Sequence, residues 1–234
     1  MNRSKLSNIV RLDEHEKSPG LTDRTRSGSV LKHCRELASS TLINALPIVM
    51  DKLDDALFDL ANRSGDSKEQ GLYFETMRQV RVKRASIETE FRRFFKESVR
   101  STIERVAGST RSNSLADTSS ADLGLVDEGD FEETLAVTNM VRKIRSDCKQ
   151  LLYALERRIA ELLAVDELKP EDNPFGPEAM CGAFKDACGQ IDTGVEVRLI
   201  ILKLFDRHVG AEVQQLYGTI NDYLVSQGVL PEIR

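Results

Sequence analysis

Residues 195–227, VEVRLIILKLFDRHVGAEVQQLYGTINDYLVSQ, decide how the rest of the chain is read. At alternating spacings of four and three, Val195, Leu199, Leu202, Val209, Val213, Leu216, Ile220 and Tyr223 fall on one line of an α-helix, interrupted at Asp206. The first half is apolar nearly all round, through Leu199, Ile200, Ile201, Leu202, Leu204 and Phe205, which predicts a segment enclosed by other helices. Thr193 with Glu196 three residues on predicts a capping box at the start, and Gly228 a stop. Such a helix, of about 33 residues, would run roughly 50 Å at 1.5 Å per residue.

Around this helix the composition is that of a globular chain, with 234 residues, 40% hydrophobic and 30% charged, enough for one sizeable core or two small ones. The net charge of −5 argues against binding nucleic acid through the overall field, though it leaves room for a local basic face. No apolar run reaches the roughly 18 to 20 residues needed to span a bilayer, because Arg198, Lys203 and Asp206 interrupt the longest candidate. No membrane insertion is therefore expected. Cys34, Cys148, Cys181 and Cys188 follow no metal-binding or redox spacing and no signal peptide precedes them, which predicts reduced thiols and a cytoplasmic protein.

In chain order, residues 1–28 show no sustained period and too little apolar content to offset their ordering entropy, and are expected to be a disordered tail. A helical domain is expected over 29–234. From Leu31 to Leu60 apolar residues recur at three and four, with Pro47 inside the pattern predicting a kink or break near Ala45 to Pro47. Asp66 and Glu69 suggest a capping box for a second long helix running to about Val106, with Tyr73, Met77, Val80, Ile87, Phe91, Phe94, Phe95, Val99 and Ile103 as its apolar stripe. Residues 108–126 are rich in Ser, Thr, Asn and Asp and read as a flexible linker. Beyond it, Asp130 and Glu133 suggest a third capping box, and the repeat from Val137 to Leu162 predicts one long helix over residues 131–164. Pro177 and Gly189 bound a short helix ahead of the organising one. No strand and no repeat of fixed period is visible. The fold class is all-α, an antiparallel bundle of long helices with a disordered N-terminal tail and a disordered central linker.

The candidate chemistry is sparse. Cys181 and Cys188 are seven apart, about 10 Å along a helix, too far for a disulfide and wrongly spaced for one metal, and His15, His33 and His208 are scattered. Asp206 stands where the apolar line calls for a hydrophobic residue, so it reads as a polar residue in the core seam that fixes register through a paired charge. The rival reading, an acid–base pair with His208, is weakened because residues two apart on a helix point about 200° apart. The second helix carries Arg78, Arg81 and Arg84 at three-residue spacing beside Tyr73 and Met77, a combination of arginine and aromatic character enriched at interfaces. These five residues are the expected partner-binding set. The same basic helix supports the alternative of nucleic-acid or RNA-machinery binding, against which interspersed Glu75, Glu88, Glu90 and Glu97 weigh. No nucleotide-binding, hydrolase or metalloprotease motif is present, so no catalytic residue, cofactor, metal or small-molecule substrate is expected, and the chain reads as non-enzymatic.

Five stretches, DKLDDALFDLANRS (from 51), EQGLYFETMRQVRVKR (from 69), EGDFEETLAVTNMV (from 128), NPFGPEAMCGAF (from 173) and VRLIILKLFDRHVGAEVQQLYGTINDYLVSQGVLPEIR (from 197), resemble in order and spacing the N-terminal region of the proteobacterial domain of unknown function 1631 family. The resemblance covers about residue 30 to the C-terminus, without the tail and the linker. Members of that family have often carried the label thymidine phosphorylase, which no phosphate-binding loop or nucleoside site in this sequence supports. Longer relatives continue past the point matching residues 229–234, and some carry a PilZ-type segment that binds cyclic di-GMP. The resemblance implies a cytoplasmic bacterial regulatory protein, linked to second-messenger signalling, whose helical N-terminal part binds another protein. It carries over no functional residue.

A PilZ-type site needs two arginines four apart and a small β-barrel, and no two arginines here have that spacing. Calorimetry of the chain with cyclic di-GMP at physiological salt is expected to show no saturable heat. Low-micromolar binding lost on changing Arg78, Arg81 and Arg84 would overturn this expectation.

Overall fold

The computed structural model describes residues 21–109 and 128–233. Over them it has six α-helices, α1 Leu21–Arg63, α2 Ser67–Ser109, α3 Glu128–Asp147, α4 Lys149–Leu163, α5 Pro177–Cys188 and α6 Val195–Ser226, with one short 3-10 turn at Pro170–Asp172 and no strand among the described residues. The all-α reading holds. Most of the expected tail and linker lies outside the described residues. Where the two overlap, residues 21–28 and 108–109 are helical, so α1 starts earlier than the repeat from Leu31 announced. Arg26 explains part of that extension, because its guanidinium donates to the Gln227 carbonyl at the far end of α6 and ties the first turns of α1 down.

The direction of each helix follows from its contacts. Arg26 with Gln227, and the His33 ring 4.3 Å from that of Tyr223, set α1 antiparallel to α6. Gln70 donates to the Ala61 carbonyl and Arg84 to the Pro47 carbonyl, so fourteen residues up α2 match fourteen down α1, an antiparallel hairpin without slip. The pairs Glu133–Arg198, Lys143–Asp206 and Arg158–Asn221 advance together, so α3 and α4 run alongside α6 in the same sense. Between them α5 turns the chain back.

The core line of α6 differs from its sequence reading in the first half. Leu202, Val209, Val213, Leu216 and Ile220 are buried, but Val195, Leu199 and Tyr223 are only half-buried, and Val197, Ile201 and Phe205 take the inner positions. A straight helix of 3.6 residues per turn drifts across a repeat of 3.5, so a strict seven-residue line cannot face one partner along the whole length. Ile200 and Leu204 are likewise half-buried, so the segment is covered on one broad side and not enclosed all round. At its centre Phe205 stacks on Phe184 of α5 at 3.9 Å, and Phe184 meets Phe91 of α2 edge-on at 6.4 Å.

The helix ends also depart from the capping boxes. Gly194 is the N-cap of α6, and the buried Thr193 hydroxyl instead shares a 3.0 Å hydrogen bond with buried Thr76 of α2. A buried hydroxyl takes whichever partner packing brings within reach. Asp66 does cap α2, accepting from the Lys68 N–H at 3.0 Å, but Glu69 accepts from the Ser64 hydroxyl rather than from the Asp66 N–H. Glu133 is no cap at all: it is buried within α3, five residues past the helix start, where Arg198 donates to it. The stop at Gly228 is as read. With φ of +75° it lets Gly228 and Val229 donate to the Val225 and Leu224 carbonyls, a Schellman closure.

Two expected helices change shape. Pro47 produces no break, and α1 runs continuously through it, with the proline carbonyl taken by Arg84. The predicted helix over residues 131–164 begins at Glu128 and divides at Cys148, whose backbone sits at φ −106° and ψ 17° although its N–H still reaches the Ile144 carbonyl. Arg145 shows why. It donates at 3.1 Å to Glu156, eleven residues on, which a straight helix would place roughly 16 Å away, and it also holds Glu178 of α5 and the Pro170 carbonyl. Gly176, the N-cap of α5, sits in this knot where an added Cβ would meet Glu178 Oε2 at 2.7 Å.

Leu202, 2% exposed, lies where α6 meets its neighbours. Leu202→Asp is expected to abolish the cooperative melt seen by circular dichroism, since an unpaired buried charge costs several kcal/mol, comparable with a total stability of about 5–15 kcal/mol. Melting within a few degrees of the parent would place α6 at the periphery.

Candidate functional site

The α1–α2 hairpin has two unlike faces. Its inner face is core: Leu53, Leu57, Ala61, Val80, Ile87 and Phe91 are all at most 2% exposed. Its outer face carries Ile48 at 52%, Phe58 at 50%, Phe74 at 38% and Val82 at 72% exposure, apolar side chains that the fold leaves in water. The hairpin register brings them together in two layers. Phe58 and Phe74 meet edge to face at 6.5 Å, and Ile48 and Val82 lie at about the level of Pro47 and Arg84.

Between the layers lies a charged band. Arg81 donates through Nε and Nη2 to both oxygens of Asp54, and Arg84 to Asp51 at 2.8 Å. Arg78 grips Glu75 on its own helix, and that hydrogen bond holds the Glu75 carboxyl below its ordinary range, while the bond to Asp54 raises Arg81 further above its own. A shallow groove of ≈ 310 Å³ runs here, floored by Met50 and Val80 and walled by these acids and arginines. Every arginine of the band is already matched by a carboxylate, so the groove offers a patterned surface and not a free cation.

Of the expected partner-binding set, Arg78, Arg81 and Arg84 lie on or beside this band, whereas Tyr73 and Met77 are half-buried and pack on the core. Phe131 and Tyr153 are exposed elsewhere, and on this face the exposed aromatics are Phe58 and Phe74, which lie outside the expected set. Their signal was present: Phe74 falls off the Tyr73–Met77–Val80 stripe and Phe58 off the Leu53–Leu57 line, apolar residues on the polar side of each helix.

The other candidate residues pair or pack within the fold. Asp206 is partly buried and receives Lys143 of α3 at 2.8 Å, bridging two helices, and His208, also half-buried, makes no hydrogen bond to it. The four thiols are buried, and burial pushes Cys34 up to about 12 and raises Cys148, Cys181 and Cys188 as well, which suppresses the reactive thiolate. No group of three or more His, Cys, Asp or Glu among the described residues could hold a metal. No described helix is long and apolar enough to cross a membrane. Along α2, Arg93, Lys96, Arg100 and Arg105 are paired with Glu90, Glu36, Glu97 and Asp172, so most of the basic character is neutralised in place.

A family model described as the N-terminal domain of a protein of unknown function (DUF1631) matches residues 26–228. No curated protein matches the chain, and no solved structure does.

Because Phe58 and Phe74 are half in water, Phe58→Ser with Phe74→Ser is expected to cost about 1 kcal/mol or less and to move the melting midpoint by only a few degrees. Phe91→Ser, on the inner face, is expected to cost about 3–5 kcal/mol. Equal losses in the two variants would mean the outer face is packed.

Proposed function

The chain belongs to the DUF1631 family through its N-terminal domain, and on that premise we propose that it is a non-enzymatic helical interaction module that docks a protein partner on the outer face of the α1–α2 hairpin. One observation carries this reading: of the large apolar side chains exposed among the described residues, Ile48, Phe58, Phe74 and Val82 share one hairpin face opposite the core. Four such residues on a face of two helices exceed the scatter of single exposed apolar side chains, and they frame charged groups held in fixed geometry by hydrogen bonds. The proposed setting is that of a cytoplasmic bacterial regulator tied to cyclic di-GMP signalling, and the family resemblance supports it.

Nucleic-acid binding through α2 is the alternative. Weighing against it, arginines already committed to carboxylates release few counterions on meeting phosphates, and counterion release drives that mode.

Photo-crosslinking in native cells decides between these readings. A photoreactive side chain at position 58 is expected to yield a protein adduct that disappears with Phe74→Ser, while the same probe at Tyr153, exposed on α4, yields none. Nucleic-acid adducts, or equal adducts at both positions, would overturn the proposal. Complex formation is also expected to change little between about 50 and 200 mM salt, where a phosphate-driven complex would lose about 10³-fold or more.

A further inference from the structure

We infer that the occupant of this face is a second copy of the same chain, docked about a two-fold axis running along the seam between α1 and α2. The inference rests on the interaction reading above and goes further by naming the partner. Its ground is how charge divides across the hairpin. Residues 48–59 of α1 hold four Asp and one Lys, a net of −3, and residues 74–85 of α2 hold four Lys or Arg and one Glu, a net of +3. A surface acidic on one side of a line and basic on the other complements itself when rotated by half a turn about that line.

The register of the hairpin makes this match in detail. Asp54 with Arg81 and Asp51 with Arg84 show that acids and arginines stand at the same height along the seam. Rotation about the seam preserves height and exchanges the sides, so Asp51 and Asp54 of one copy come over Arg84 and Arg81 of the other, with Asp55 near Arg78. Phe58 comes over Phe74 in the same step, making a cluster of four rings from two pairs already in edge contact. Ile48 likewise comes over Val82, closing the second apolar layer. The other two-fold lying in this face, perpendicular to the helices, would set α1 on α1 and α2 on α2, like charge on like charge. Only the seam axis satisfies charge and apolar layers together.

Residues 44–62 of α1 run about 27 Å, and two helices side by side are about 20 Å wide, giving roughly 540 Å² per copy, below the roughly 800 Å² of a standard stable interface. An interface below standard size is that of a reversible encounter, so association is sought at high chain concentration.

Sedimentation velocity from about 5 to 200 µM is the test. The 26.2 kDa chain is expected to pass from monomer toward dimer over that range, and Phe58→Ser with Phe74→Ser to stay monomeric with its melting nearly unchanged. Two charge variants supply an independent arm. Asp51→Lys with Asp55→Lys makes both sides basic, and Arg78→Glu with Arg81→Glu makes both sides acidic, so each alone is expected to be monomeric. Mixed one to one, they are expected to form a heterodimer. A parent chain monomeric at 200 µM, a dimer that survives the serine changes, or a mixture that fails to associate would each overturn self-docking. If the parent is monomeric while the position 58 probe still yields an adduct with a different protein, self-docking falls and the interaction reading stands. If no adduct forms either, both fall.

Discussion

The stack of Phe184 on Phe205 is the contact on which the arrangement of the bundle depends. At 3.9 Å between ring centres it holds the short α5 against α6, and its edge contact to Phe91 brings α2 to the same point, so three helices of different lengths and directions are fixed by one aromatic cluster. All three rings are at most 1% exposed. Removing a buried phenylalanine costs about 3–5 kcal/mol, a large share of the roughly 5–15 kcal/mol that holds a typical domain together. The twelve residues of α5 also bury Met180, Cys181, Ala183 and Ala187, and the position of the helix determines where the chain can re-enter to start α6.

Around that point the polar contacts steer the chain. Arg145 binds Glu156, Glu178 and the Pro170 carbonyl, joining α3, α4, α5 and the loop before α5 through one guanidinium. Its planar fork can satisfy several acceptors at once in fixed geometry, which an ammonium on a flexible stem cannot. The bend at Cys148 follows from this clustering. Thr76 with Thr193, and Arg198 with Glu133, then set the level of the α6 start against α2 and α3. Such buried pairs select an arrangement more than they add stability, since desolvation offsets much of what their attraction contributes.

The outer hairpin face obeys a different rule. Its ion pairs are exposed, and each contributes at most about 1 kcal/mol, so they do little to hold α1 to α2. Their consequence is order: they keep acids on one helix and arginines on the other at matched heights, and they leave Phe58 and Phe74 standing beside them in water.

The sequence by itself determined the helical period, the extent of α5 from Pro177 to Cys188, the stop of α6 at Gly228, the family motifs and, among the described residues, the lack of a helix long and apolar enough to cross a membrane. These depend on neighbours within a turn or two, where residue type and spacing settle the geometry. Tertiary structure decided what each polar side chain does. Thr193 and Glu133 carry the spacing of caps, yet they are taken by Thr76 and Arg198, far away in the chain. Tyr73 and Met77 have the spacing of a surface pair and are half-buried on the core, while Phe58 and Phe74, off the apolar lines of their helices, stand exposed and in ring contact. The reason is physical: a side chain's partner is whichever group the packed helices bring within about 3 Å, and that distance depends on register and crossing between helices, which no local pattern encodes.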